Sequence, residues 1–85
     1  MSAHPARVAG MLIAGTGLAH FAAPRLFEAI TAPLFPKDTR GWVYRNGATE
    51  LALGVALSAD KTRKAGIAGL AAYVVWLASR AAANR

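Results

Sequence analysis

"GLAHFAAPRLFEAITAPLFP", residues 17–36, decides how this chain folds. A run of small apolar residues meets His20, and Pro24 follows four residues later, then Pro33 and Pro36. Pro24 suits the first turn of a new helix, where its missing N–H leaves no partner wanting. One helix therefore ends near residue 23 and a short one begins at 24. In that short helix Leu26, Phe27 and Ile30 fall on one face, with Arg25 and Glu28 on the other. An amphipathic helix of this kind lies along a membrane surface, and Leu26, Phe27 and Ile30 are expected to turn inward. Pro33 and Pro36 are expected to stop it and keep the chain extended. Asp38 or Thr39 supplies a cap for the next helix, and Trp42 and Tyr44 sit where an aromatic belt would anchor its start.

Outward from this stretch, the rest of the chain is poor in charge. Charged residues make up 16% of the 85 residues, against about 25% in soluble domains. There is no cysteine, which excludes disulfides and cysteine-ligated metal within this chain. The net charge is +6, but Arg7, Arg25, Lys61, Arg63, Lys64, Arg80 and Arg85 bracket the apolar runs. Nucleic-acid binders gather such residues on one face, whereas membrane proteins place them at the ends of spans. Nucleic acid is therefore not expected as a partner.

Val8 to Ala23 carries no formal charge beyond a proton on His20. At ~1.5 Å per residue it reaches ~24 Å, and Arg7 and Arg25 can snorkel to close the gap to a ~30 Å hydrocarbon core. A soluble helical bundle is the competing reading, because runs this short can be core helices. The first and third runs are apolar around their whole circumference, and a soluble surface helix needs a polar face. The first run also imitates a secretory signal cleaved after Ala19; with Met1 in place we read it as a retained helix. The expected fold is all-α: a single membrane domain over 1–85, with three transmembrane helices at about 6–23, 40–59 and 62–83. The interfacial helix, about 24–31, occupies the first loop. The expected location is the cytoplasmic (inner) membrane, multi-pass, with the N-terminus cytoplasmic on account of the dense Lys61–Lys64 turn.

Projected at 3.6 residues per turn, each long helix carries a stripe of small and polar residues, as helix interfaces in lipid do. The stripes run through Gly10, Ile13, Thr16, Gly17 and His20; through Val43, Asn46, Gly47, Glu50, Gly54 and Leu57; and through Gly66, Gly69, Tyr73, Trp76 and Arg80. The opposite faces, with Met11 and Leu18, Leu51 and Val55, and Val74 and Val75, suit lipid. Glu50 is the most informative residue. A carboxylate in hydrocarbon costs ~2.5–3.5 kcal/mol on insertion scales and should be paired, protonated or facing a cavity. His20 is its natural partner, while Arg45 is off its face. Asn46, one turn earlier, can hydrogen-bond the carboxylate within the helix. His20, Asn46, Glu50 and Tyr73 thus form a candidate intramembrane polar site, with Trp76 at its edge. It could relay protons or hold a quinone-like headgroup, or it could serve only to fix helix packing. A haem on His20 would need another axial ligand, because His4 lies in the N-terminal tail. Lys61, Arg63 and Lys64 read as a solvated anchor at the membrane surface that can dock an anionic lipid head.

These residues resemble the DoxX-like small membrane proteins. The pattern is His20-Phe21, Pro24, Phe27, Pro33 and Pro36, then an aromatic-rich helix start and Gly47, Glu50, Leu51 and Gly54, over roughly residues 10–83. The resemblance implies a membrane bundle, with quinone-linked or redox-stress roles in some members. It also implies a fourth helix after a Pro-Ala-Asn motif, where this chain has Ala82 and ends at "AAANR". From this we expect a small structural or accessory subunit of a larger membrane complex, with membrane lipids and a larger membrane protein or further copies of itself as partners. The alternatives are a redox-linked protein with a quinone or proton site at His20/Glu50, and a carrier of a small hydrophobic molecule. No catalytic residue, metal or obligatory cofactor is expected; quinone is the one cofactor candidate.

Overall fold

Four glycines set the main helix pair. In the computed structural model, which describes residues 4–85, the chain forms α1 (His4–Ala22), α2 (Pro24–Thr31), α3 (Thr39–Ser58) and α4 (Arg63–Ala83), with no strand among the described residues. His4 is thus the first residue of α1 rather than part of a tail. α1 and α3 run antiparallel. A Cβ on Gly10 would stand 2.6 Å from the Gly54 carbonyl oxygen and 2.7 Å from the Ser58 nitrogen. One on Gly17 would stand 2.6 Å from the Gly47 oxygen. A Cβ on Gly47 would strike the His20 side chain, and one on Gly54 the backbone of Ala14. Gly10 opposite Gly54 and Gly17 opposite Gly47 repeat at two turns on both helices, so the backbones approach as only glycine permits. Leu51 belongs to this contact and not to the outer face, because its backbone abuts Gly17. Thr16, by contrast, is exposed and its hydroxyl donates to the Leu12 carbonyl.

α4 packs on the other side of α3. Gly66 lies against the backbone of Leu57, and Gly69 against the Leu53 side chain. Among the described residues, α1 and α4 make no close backbone contact with each other. The molecule is consequently flat, 43 × 26 × 15 Å, with α3 in the middle. Its outer faces are apolar: Met11, Leu12 and Leu18 on α1 and Ile67, Val74 and Val75 on α4 are exposed.

The chain bends by 103° between α1 and α2. Ala23 leaves helical geometry and Pro24 opens α2, as its fixed φ and absent N–H favour. Of the three apolar residues on α2, Phe27 turns inward onto His20 and Ile30 stands at the mouth of a cavity, while Leu26 faces out. Leu26 is 75% exposed and Ile30 66%, because a helix of 8 residues seated through one aromatic ring leaves its neighbours outside. After α2 the chain does not stay extended. The amides of Leu34 and Phe35 both donate to the Thr31 carbonyl, at 3.0 and 2.9 Å, and this turn drives Phe35 into the interior, 1% exposed. Phe35 stacks on Trp42 at 4.4 Å and meets Trp76 at 5.4 Å. Arg80 stands over the Phe35 ring at 5.0 Å and Arg45 over Trp42 at 4.7 Å. Trp42 is therefore part of a packed aromatic cluster rather than a free surface anchor.

Asp38 occupies the N-cap of α3 in the left-handed region, φ 54°, without a capping side-chain bond. Asp tolerates that region better than most residues. Its carboxylate lies over Gly41 and pairs with Arg45 at 3.3 Å instead. Thr39 likewise turns its hydroxyl to the Phe35 carbonyl, 2.7 Å.

On length and composition, α4 alone is apolar enough to cross a membrane by itself; α1 reaches that level only together with α2, across the bend. α3 falls short because Arg40, Arg45, Asn46 and Glu50 dilute its apolar content. Among the described residues the fold is all-α with four helices, of which α4 alone has the length and apolar content of a span.

Candidate functional site

A cavity of about 100 Å³ lies over the middle of α3, between α1 and α4, with α2 and the turn after it as a roof. Its polar lining is His20, Thr31, Asn46, Glu50 and Tyr73, one or more from each helix. Its apolar lining is Ile30, Leu34, Phe35 and Leu77. The four residues expected to form a polar site all contribute to this one wall.

His20 arrives from the last turns of α1 and is 4% exposed. Its Nδ1 lies 2.8 Å from the Thr16 carbonyl oxygen. A carbonyl only accepts, so Nδ1 carries the hydrogen. The other nitrogen, Nε2, then faces Glu50 Oε2 at 3.7 Å. The Phe27 ring stacks on the imidazole at 3.8 Å between centroids, which fixes the ring plane. Tyr73 donates its hydroxyl to the same Glu50 oxygen at 3.1 Å. Glu50 Oε2 thus lies between α1 and α4, which make no close backbone contact with each other among the described residues. Nδ1 being engaged, Nε2 and Oε2 face each other beyond hydrogen-bond distance. A cavity of this size holds several waters.

Asn46 is 6% exposed, yet it makes no hydrogen bond to Glu50. Neither its carboxamide nor the Thr31 hydroxyl, also 6% exposed, bonds to any side chain or backbone group among the described residues. Both line the cavity. Thr31 and Phe27 complete a site that was read from the long helices alone. The signal for them was the four-residue spacing that puts both on the inward side of α2.

The basic turn behaves differently from expectation. Arg63 does not extend outward. Its Nε donates to the Leu57 carbonyl at 3.0 Å, Nη2 to Ser58 at 3.4 Å and Nη1 to Asp60 Oδ1 at 2.8 Å. The Thr62 hydroxyl donates to the Ala56 carbonyl at 2.7 Å. Together they satisfy the carbonyls that α3 leaves open at its C-terminus, where a cation is favoured. Arg63 therefore caps the C-terminus of α3, while Lys61 and Lys64 are exposed. Among the described residues no three His, Asp or Glu side chains gather as metal ligands would.

No curated protein and no solved structure matches the chain. The resemblance to the DoxX-like proteins is corrected by the family comparison, in which a different family accounts for nearly the whole length. Its short motifs have local causes here: Gly47 and Gly54 admit α1, Pro24 opens α2, and Glu50 bridges His20 and Tyr73. The matching family model, described as a domain of unknown function (DUF8561), covers residues 8–84, and the chain belongs to that family.

Proposed function

We propose that this chain is an integral protein of the cytoplasmic membrane and a small accessory subunit that packs laterally against a larger membrane protein or further copies of itself. In this reading α1, α3 and α4 cross the bilayer and α2 lies at its surface. The observation that carries it is the flat layer, 15 Å in its thinnest direction, with apolar side chains on its outer faces. A chain of 85 residues folding alone in water would gather those faces inward. The 103° turn into α2 supports the surface placement of that helix. Leu26 and Ile30, exposed on the protein, are the side chains that would enter the headgroup region. Gentle solubilisation followed by native mass measurement tests the subunit role. A defined assembly larger than the 8.8 kDa chain is expected, and a lone monomer would count against it.

A second reading is favoured by the cavity: a quinone or proton site at His20 and Glu50. It draws support from Glu50 Oε2, which accepts from Tyr73 on α4 and lies 3.7 Å from His20 on α1. Retention of a quinone on the purified chain, lost on Glu50→Gln with the fold intact, is its test.

A further inference from the structure

The polar wall of the cavity holds more hydrogen-bonding capacity than the protein uses. Glu50 Oε1 is an acceptor, and the Asn46 carboxamide and Thr31 hydroxyl offer donors and acceptors. Asn46 and Thr31 are more than nine-tenths buried and unpartnered among the described residues. Water reaches these atoms through the cavity, and a ligand group that replaces that water must offer the same hydrogen bonds. The rim is apolar, made by Ile30, Leu34 and Leu77. Ile30 both lines the cavity and is 66% exposed, so the mouth lies beside the end of α2. A volume of about 100 Å³ admits a headgroup and leaves any tail outside.

We propose that this cavity binds the uncharged hydroxyl head of an amphiphile dissolved in the membrane, entering sideways between α2 and α4. A hydroxyl donates to the Glu50 carboxylate and accepts from the Asn46 amide or the Thr31 hydroxyl, so both sides of the wall are matched. A carbonyl only accepts, so it matches Asn46 or Thr31 and leaves Glu50 with the Tyr73 hydroxyl as its donor. A carboxylate head meets Glu50 as a like charge. An ammonium head brings donors alone and must shed its water at an apolar rim. The hydroxyl has two sources, an aromatic ring or an aliphatic chain, and both present the same donor and acceptor. The proposal rests on the membrane placement argued above.

The test uses the full chain in phosphatidylcholine nanodiscs, read by tryptophan emission, since Trp76 lies 6.1 Å from Tyr73 at the cavity wall. The probes are 4-hexylphenol and 1-octanol, each compared with its own methyl ether, which keeps the acceptor and loses the donor. At least one alcohol should give a saturable response, and its ether should bind about tenfold more weakly or worse. Whichever alcohol saturates identifies the aromatic or the aliphatic source. Asn46→Leu should weaken that alcohol by a similar factor; if it fails to fold, Thr31→Val serves. Equal binding of alcohol and ether, or a purely linear response to both alcohols by folded protein, would overturn the proposal. Carbonate washing of native membranes separates the two failures. A chain that washes off while still discriminating alcohol from ether leaves the pocket standing and removes the membrane placement.

Discussion

Nε2 of His20 faces Oε2 of Glu50 across 3.7 Å, with Nδ1 already given to the Thr16 carbonyl. That distance is too long for a good direct hydrogen bond and too short for a water to sit between the two atoms, so the side chains meet in close electrostatic contact. His20→Ala and Glu50→Gln should each lower stability. Their double variant should lose less than the sum, with a coupling of roughly 0.5–3 kcal/mol. Thermal unfolding in detergent measures it, and strict additivity would show that the two side chains act independently.

The glycines make a paired prediction. Gly54→Ala puts a methyl group against the backbone of Ala14 and Gly10 and should cost roughly 1–3 kcal/mol as the helices separate. Gly15→Ala meets nothing within 4 Å and should be neutral or stabilising by up to about 1 kcal/mol. Equal effects at both sites would contradict the α1–α3 pairing.

Phe35 is expected to be the most sensitive side chain in the connecting segment. Phe35→Ala empties a fully buried position between Trp42 and Trp76 and should cost about 3–5 kcal/mol. Tryptophan emission should shift to longer wavelength in the same variant. Leu26→Ala, at an exposed position on α2, should leave both readings unchanged.

The turn between α3 and α4 carries a pH dependence. Its hydrogen bond from the Arg63 guanidinium, and the charge beside it, hold the Asp60 carboxyl below its ordinary value of 3.8. A depressed carboxylate contributes stability that is present above that ordinary value and lost as pH falls through the lowered one. Asp60→Asn should therefore flatten the acid side of the stability profile below about pH 4. The effect is small because Asp60 is exposed. Arg63→Ala should cost more at neutral pH, since it also releases the Leu57 and Ser58 carbonyls.

Much of this architecture was legible in the residues, and the gaps have physical causes. Pro24 announced the break after α1, and the stripe of Gly10, Gly17, Gly47 and Gly54 announced a close helix contact. His20, Asn46, Glu50 and Tyr73 converge because each sits on an inward stripe at matching depth. Phe35 was missed because its burial comes from the turn at Thr31, a tertiary outcome with no periodicity to reveal it. The capping role of Arg63 was not legible because a cation in a basic turn looks the same whether or not it folds back on a helix end. The family resemblance failed because short Gly, Pro and Glu motifs recur wherever helices bend and pack closely.

The placement of α1, α3 and α4 across a bilayer is tested most directly by single-cysteine scanning in sealed vesicles, since the chain has no cysteine of its own. Cysteines at Met11, Val55 and Val75 should resist a water-soluble maleimide, and cysteines at Lys37 and Lys61 should react from opposite sides of the membrane. Rapid labelling at positions 11 and 75, or labelling of 37 and 61 from the same side, would contradict the account.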